Sequence, residues 1–163
     1  MSNKYFYTVL FLIATLIILW CNRACATSIP DPFLTPGETR SVTMKILCTT
    51  STSLVRNVPA SVRKQVYASY GMPHGNHTGY CAVMGGCELD HDISLELGGS
   101  NGIKNLFPMP YSGSCNARQK DALENKLHFL VCKGTITLQQ AQSAIRGDWR
   151  PAYKKYINAK GCM

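Results

Sequence analysis

The segment Glu88-Leu89-Asp90-His91-Asp92-Ile93-Ser94-Leu95-Glu96-Leu97-Gly98-Gly99, followed by Asn105-Leu106 and then Asn116, concentrates side chains that can act together on a phosphate ester. An acidic residue and a histidine stand side by side, a Gly-Gly loop follows, and two asparagines lie downstream. Single-metal hydrolysis of a phosphodiester needs such a set. Water must be deprotonated, a hard cation must be held against the phosphate, and the histidine must be aimed.

Those residues need a scaffold. Leu89, Ile93, Leu95 and Leu97 share one parity and Glu88, Asp90, Asp92 and Glu96 the other, which predicts a strand over Glu88–Leu97. Residues 98–102 supply a turn, Ile103–Phe107 returns antiparallel, and Pro108 and Pro110 are expected to stop that second strand. Asn116 is a good N-cap for a helix lined by Leu123, Leu127, Leu130 and Val131 and ended by Gly134. Thr137-Leu138-Gln139-Gln140 reads as a capping box opening another helix towards Trp149. Upstream, Val62, Val66, Tyr67 and Tyr70 predict a short helix from Pro59 to Gly71, and Val42, Met44 and Ile46 suggest a strand over Ser41–Leu47. Residues 72–86 read as a loop containing the possible glycosylation acceptor Asn76-His77-Thr78. In a regular strand Asp90 and His91 face opposite sides, so they serve one site only if the strand bends or ends there.

The N-terminus reads as an address. Lys4 precedes an apolar run from Thr8 to Trp20, and Ala24-Cys25-Ala26 has the form of a cleavage site, so residues 1–26 are expected to be a signal peptide. Cys21 invites a lipoprotein reading, but the bulky Trp20 before it fits that poorly. Residues 27–40, with Pro30, Pro32, Pro36 and Gly37, form an extended leader, and 41–163 the functional domain. Once 1–26 is removed, secretion with no stable membrane association is expected. The sequence sets no oligomeric state.

The chain carries 17 Lys+Arg against 9 Asp+Glu, and loss of Lys4 and Arg23 leaves it basic. Beside the acidic-histidine set this favours a polyanionic partner. Six cysteines remain: Cys48, Cys81, Cys87, Cys115, Cys132 and Cys162. An even number after a secretory signal implies disulfides, with the connectivity open. A zinc knuckle is the competing reading, but it needs close pairs such as C-x-x-C, and none occurs.

Asp90-His91, Gly98-Gly99, Asn105-Leu106 and Asn116, on a hairpin followed by a helix, resemble the ββα-metal core of the HNH endonucleases. From Cys48 to Trp149 the chain is also similar to small secreted HNH-like proteins, through Glu88-Leu89-Asp90-His91, Leu95 to Gly99, Lys120-Asp121, Leu123-Glu124-Asn125, Leu127-His128 and Val131-Cys132. The resemblance implies an α+β fold with a disulfide-stabilised hairpin-helix core and additional helices. It implies a secreted endonuclease of low sequence specificity using one divalent cation, Mg²⁺ or Mn²⁺ ahead of zinc, with DNA favoured over RNA. In that scheme His91 is the general base, Asn105 orients it, and Asp90 and Asn116 ligate the metal, with Asn101 as an alternative ligand. The resemblance also pairs Cys48 with Cys132.

Asp92 and Ser94 depart from the family, which commonly has an apolar residue and proline there. Lys104, Arg118 and Lys120 flank the set and are the candidates for binding substrate phosphate, against the alternative of an ordinary solvated face. Asn116 has the alternative of being only a cap, and His91 of being a core histidine. His128 is expected to be structural, His74 and His77 carry no assignment, and Trp149 to Tyr153 is expected to pack on the core. Two other functions remain open: a ribonuclease, and a catalytically silent module that binds polyanions.

Overall fold

The computed structural model describes residues 28–162; the expected signal peptide and its cleavage site lie outside the described residues. The architecture is α+β. A two-stranded antiparallel sheet is surrounded by helices, and three disulfides join the parts.

The hairpin is formed by β1 (Cys87–His91) and β2 (Leu106–Pro110), with Asp90 opposite Phe107 and His91 opposite Leu106. β1 is shorter than the alternation predicts, because Asn105 captures the chain just beyond it. The Asn105 carbonyl accepts from Asp92 N at 2.8 Å, while its side-chain amide binds Ile93 N and Ile93 O, each at 2.9 Å. Leu95–Leu97 then closes a 3-10 turn, sinking Leu95 and Leu97 into the interior. Pro108 and Pro110 do not stop β2; both lie inside it. In a two-stranded sheet each strand has an unpaired side, where a missing N–H costs little.

Upstream, α1 (Met44–Thr49), α2 (Thr52–Val55) and α3 (Ala60–Ser69) precede the hairpin. The strand expected at Ser41–Leu47 is replaced by α1, started by the Thr43 hydroxyl accepting from Ile46 N. Met44 and Ile46 are exposed, Val42 packs partly buried against the core and Leu47 is buried, so the period-two set does not share one buried face. The loop at 72–86 contains a 3-10 turn over Gly79–Met84. Of the expected leader at 27–40, residues 28–40 are free of helix, as their prolines require, and are bonded to the Gly-Gly pair and the turn after it: Arg40 N donates to Gly98 O at 2.8 Å and Ser100 N to Glu38 O at 2.9 Å.

After β2 come α4 (Ala117–Cys132), α5 (Leu138–Ile145) and α6 (Arg150–Tyr156). Leu123, Leu127 and Val131 of α4 pack with Ile93, Leu97, Phe107, Met109, Ile145 and Trp149 in the main core. Trp149 is fully buried, meets Tyr153 edge to face at 5.8 Å, and donates from Nε1 to Ser28 O. The disulfides are Cys48–Cys132, Cys81–Cys87 and Cys115–Cys162, so among the described residues no thiolate is left for a zinc knuckle. Among the described residues no helix is long and apolar enough to cross a membrane.

Candidate functional site

β1 ends at His91, and this resolves the parity problem: Asp90 and His91 both line one cleft of about 680 Å³. Glu88 and Ser94 join them from the same stretch, Asp121 and Glu124 from the first half of α4, Arg56 from the α2–α3 connection and Arg63 from α3, with Tyr67 and Tyr111 also in the lining.

His91 is 2% exposed, and its Nε2 lies 3.1 Å from Asn101 Oδ1. The Asn101 amide is oriented by its other end, since Nδ2 donates to Val55 O at 2.8 Å. Oδ1 therefore faces the imidazole, Nε2 carries the proton, and Nδ1 holds the free lone pair. No hydrogen bond within the described residues occupies Nδ1. Burial lowers the His91 pKa to about 4, against the raising effect of the Asn101 bond and the Asp90 charge, so the ring is neutral at pH 7.

Asp90 is fixed on both oxygens. Oδ1 accepts from His91 N at 2.7 Å and Oδ2 meets Lys120 Nζ at 2.9 Å. Lys120 is wholly buried, and its ammonium also donates to Glu124 Oε1 and to His91 O, each at 2.6 Å. Three donors thus meet three acceptors. The two carboxylates hold Lys120 charged against desolvation, the largest effect on it. Lys120 is therefore an internal counter-ion and not a surface phosphate ligand; its spacing of four residues from Glu124 already suited an ion pair on one helix face.

The remaining acids are less neutralised. Burial, then repulsion from Asp90 and Asp121, pushes Glu88 up to about 7, and Asp121 is raised by burial and Asp90. Glu124, although paired with Lys120, is also raised, because burial outweighs the ammonium. Ser94 Oγ is buried without a hydrogen-bond partner in the same lining. A neutral imidazole and, elsewhere in the same lining, a carboxyl that titrates near neutrality give the cleft both a proton acceptor and a proton donor.

Other expectations need correction. Asn105 does not touch the His91 ring; it is fully buried, and its side chain is spent on Ile93, on Ser100 O and on Glu38 N, so Asn101 is the orienting amide. Asn116 does not reach the cleft. Its Oδ1 accepts from Gln119 N at 3.2 Å and its Nδ2 donates to Gly113 O at 2.9 Å, so it acts as the cap of α4. Lys104 and Arg118 are exposed but lie outside the cleft lining. Arg56 and Arg63 had no local signal, since the fold alone brings them to residues about thirty positions away. His128 is structural as expected, bonded to Leu47 O at 3.0 Å.

Among the described residues, the one group of three potential ligands within mutual reach is Cys48, His128 and Cys132, whose two sulfurs form a disulfide. The cleft carboxylates are spread more widely. A hard cation there would have one or two direct protein oxygens and retain much of its water, which suits Mg²⁺ or Mn²⁺ better than zinc. No protein-family model, curated protein or solved structure matches this chain significantly.

Proposed function

We propose that the protein is a secreted, divalent-cation-dependent phosphodiester hydrolase of the ββα-metal type, acting on nucleic acid with DNA favoured over RNA. The observation that carries this is His91: a neutral imidazole in a polar cleft, pinned at Nε2 by Asn101 and open at Nδ1, beside a fixed Asp90. His91 Nδ1 takes the proton of the attacking water, and Asn101 keeps the ring from turning. Asp90, with Asp121 or Glu124, would hold one Mg²⁺ or Mn²⁺, which when bound polarises the phosphate and stabilises the leaving oxygen. Lys120 restrains the Asp90 carboxylate and, through the His91 carbonyl, the backbone of the base itself.

The deciding measurement is conversion of supercoiled plasmid by refolded protein with Mg²⁺, with Mn²⁺ and in chelator, in parallel with an RNA substrate. Cleavage of DNA that stops in chelator and falls about a hundredfold or more in His91→Ala supports the reading. Cleavage of RNA alone makes it a ribonuclease. Undiminished cleavage after thorough chelation would sink the single-cation mechanism. A catalytically silent polyanion-binding module is favoured by one observation, the Lys120 ammonium already seated between Asp90 and Glu124; that reading predicts binding of both polymers and cleavage of neither.

A further inference from the structure

We infer that Arg56 and Arg63 form the phosphate-gripping side of the cleft and that Asn101 locks this side in register with the His91 base. The inference rests on the hydrolase reading for the identity of the ligand, an anionic nucleic-acid strand, but not for the existence of the site.

The lining carries four carboxylates, Glu88, Asp90, Asp121 and Glu124, with the buried Lys120 committed to two of them. Such a surface repels a phosphate unless other cations are supplied. Arg56 and Arg63 are the arginines of the lining, and among the described residues neither guanidinium makes an ion pair or side-chain hydrogen bond. Both are exposed. Arg56 favours the ionised forms of Glu88 and Asp121 through its charge but forms a close pair with neither, so its planar fork, matched to phosphate oxygens, stays open to a ligand. Ser94 Oγ, 1% exposed and without a partner, adds an unsatisfied donor in the same cleft, a second sign that the lining is completed by a ligand.

Placement of the arginines is not left to a loose loop. Arg56 N donates to Thr52 O at 2.9 Å, closing α2, and the preceding carbonyl, Val55 O, receives Asn101 Nδ2. One amide thus spans from the backbone beside Arg56 to the ring of His91, a fixed link between the group that would hold the phosphate and the atom that would activate water. Asn101 is a positioning residue in this scheme and Arg56 the contact.

The test is fluorescence anisotropy of a labelled short single-stranded oligothymidylate across a salt series, in chelator and again with Mg²⁺, for wild type, Arg56→Gln, Arg63→Gln and Arg56→Lys, together with plasmid cleavage by each. Lys104→Gln and Arg118→Gln serve as comparisons outside the cleft. Arg56→Gln is expected to weaken binding about tenfold or more and to lower the salt slope by about 0.7 per lost contact, with partial recovery in Arg56→Lys, while the two comparisons change affinity less than about twofold. All these side chains are exposed, so an unchanged thermal transition should accompany every variant. Wild-type binding that depends on Arg56 without any cleavage would uphold the arginine side and refute the hydrolase. Cleavage by wild type with affinity and salt slope unaltered in both arginine variants would overturn the arginine side and leave the hydrolase standing.

Discussion

His91 illustrates how far burial can move a titration and how one hydrogen bond opposes it. Its pKa of about 4 reflects burial opposed by the Asn101 carbonyl oxygen and Asp90. Replacing Asn101 by Asp puts a negative charge against Nε2, favours the imidazolium and raises that pKa towards or beyond the ordinary value. A base works only in its neutral form, so the acid limb of the pH–activity profile in Asn101→Asp should move to higher pH, and NMR titration of His91 should move with it. A limb that stays in place would show that His91 is not the group being titrated. Lys120 gives a second test at this scale. Lys120→Met removes the counter-ion and leaves Asp90 and Glu124 facing each other in a buried setting, at a cost of roughly 3–5 kcal/mol. Denaturant melts should show that loss at pH 7 and a smaller one at acid pH, where the two carboxyls are neutral; a near-neutral effect at pH 7 would mean that the ammonium is dispensable.

The elements that position the site were readable in the sequence where local chemistry and tertiary need agree. The Asn116 and Thr137 capping boxes open α4 and α5 where expected, and the helix after Pro59 ends just before Gly71. Sequence reasoning failed where a side chain overrode periodicity. The alternation through Leu97 continues past His91, but Asn105 fills both hydrogen-bonding positions of Ile93 and ends β1. Gly99 makes that approach possible: a Cβ there would lie 1.7 Å from Ile93 O. The site followed the same division, since Asp90 and His91 are adjacent in sequence whereas Asn101, Arg56 and Glu124 are assembled by three separate elements. Asn105 and Asn116 are therefore expected to behave differently. Asn105→Ala strands several buried polar groups and should lose roughly 3 kcal/mol or more, with His91 displaced. Asn116→Ala should lose about 1 kcal/mol, the usual value of a cap, and retain full activity per folded molecule. Comparing specific activity with stability for the pair checks both; a metal-dependent defect in Asn116→Ala would restore it as a ligand.

At the scale of the whole molecule, the small hairpin cannot hold the cleft by itself, because its floor comes from β1, its acidic side from α4 and its arginines from the α2–α3 region. The bridge that joins these regions is Cys48–Cys132, tying the segment before α2 to the last residue of α4 across a separation of 84 residues. Cys81–Cys87 spans 6 and only pins the 3-10 turn to the start of β1. In the chain-entropy model the long bridge contributes about 4–5 kcal/mol and the short one about 2–3, against a total of roughly 5–15 for a domain. Paired serine replacements should separate them: loss of Cys48–Cys132 is expected to lower the unfolding temperature by more than loss of Cys81–Cys87, and to loosen α4 so that Lys120 no longer holds Asp90 in place. Calorimetry of the two double variants, with intact-mass analysis of alkylated wild type to count free thiols, makes the comparison. Equal or reversed temperature shifts would place the restraint in packing between α1 and α4, whereas several alkylatable cysteines in the native protein would refute the three-bridge framework itself.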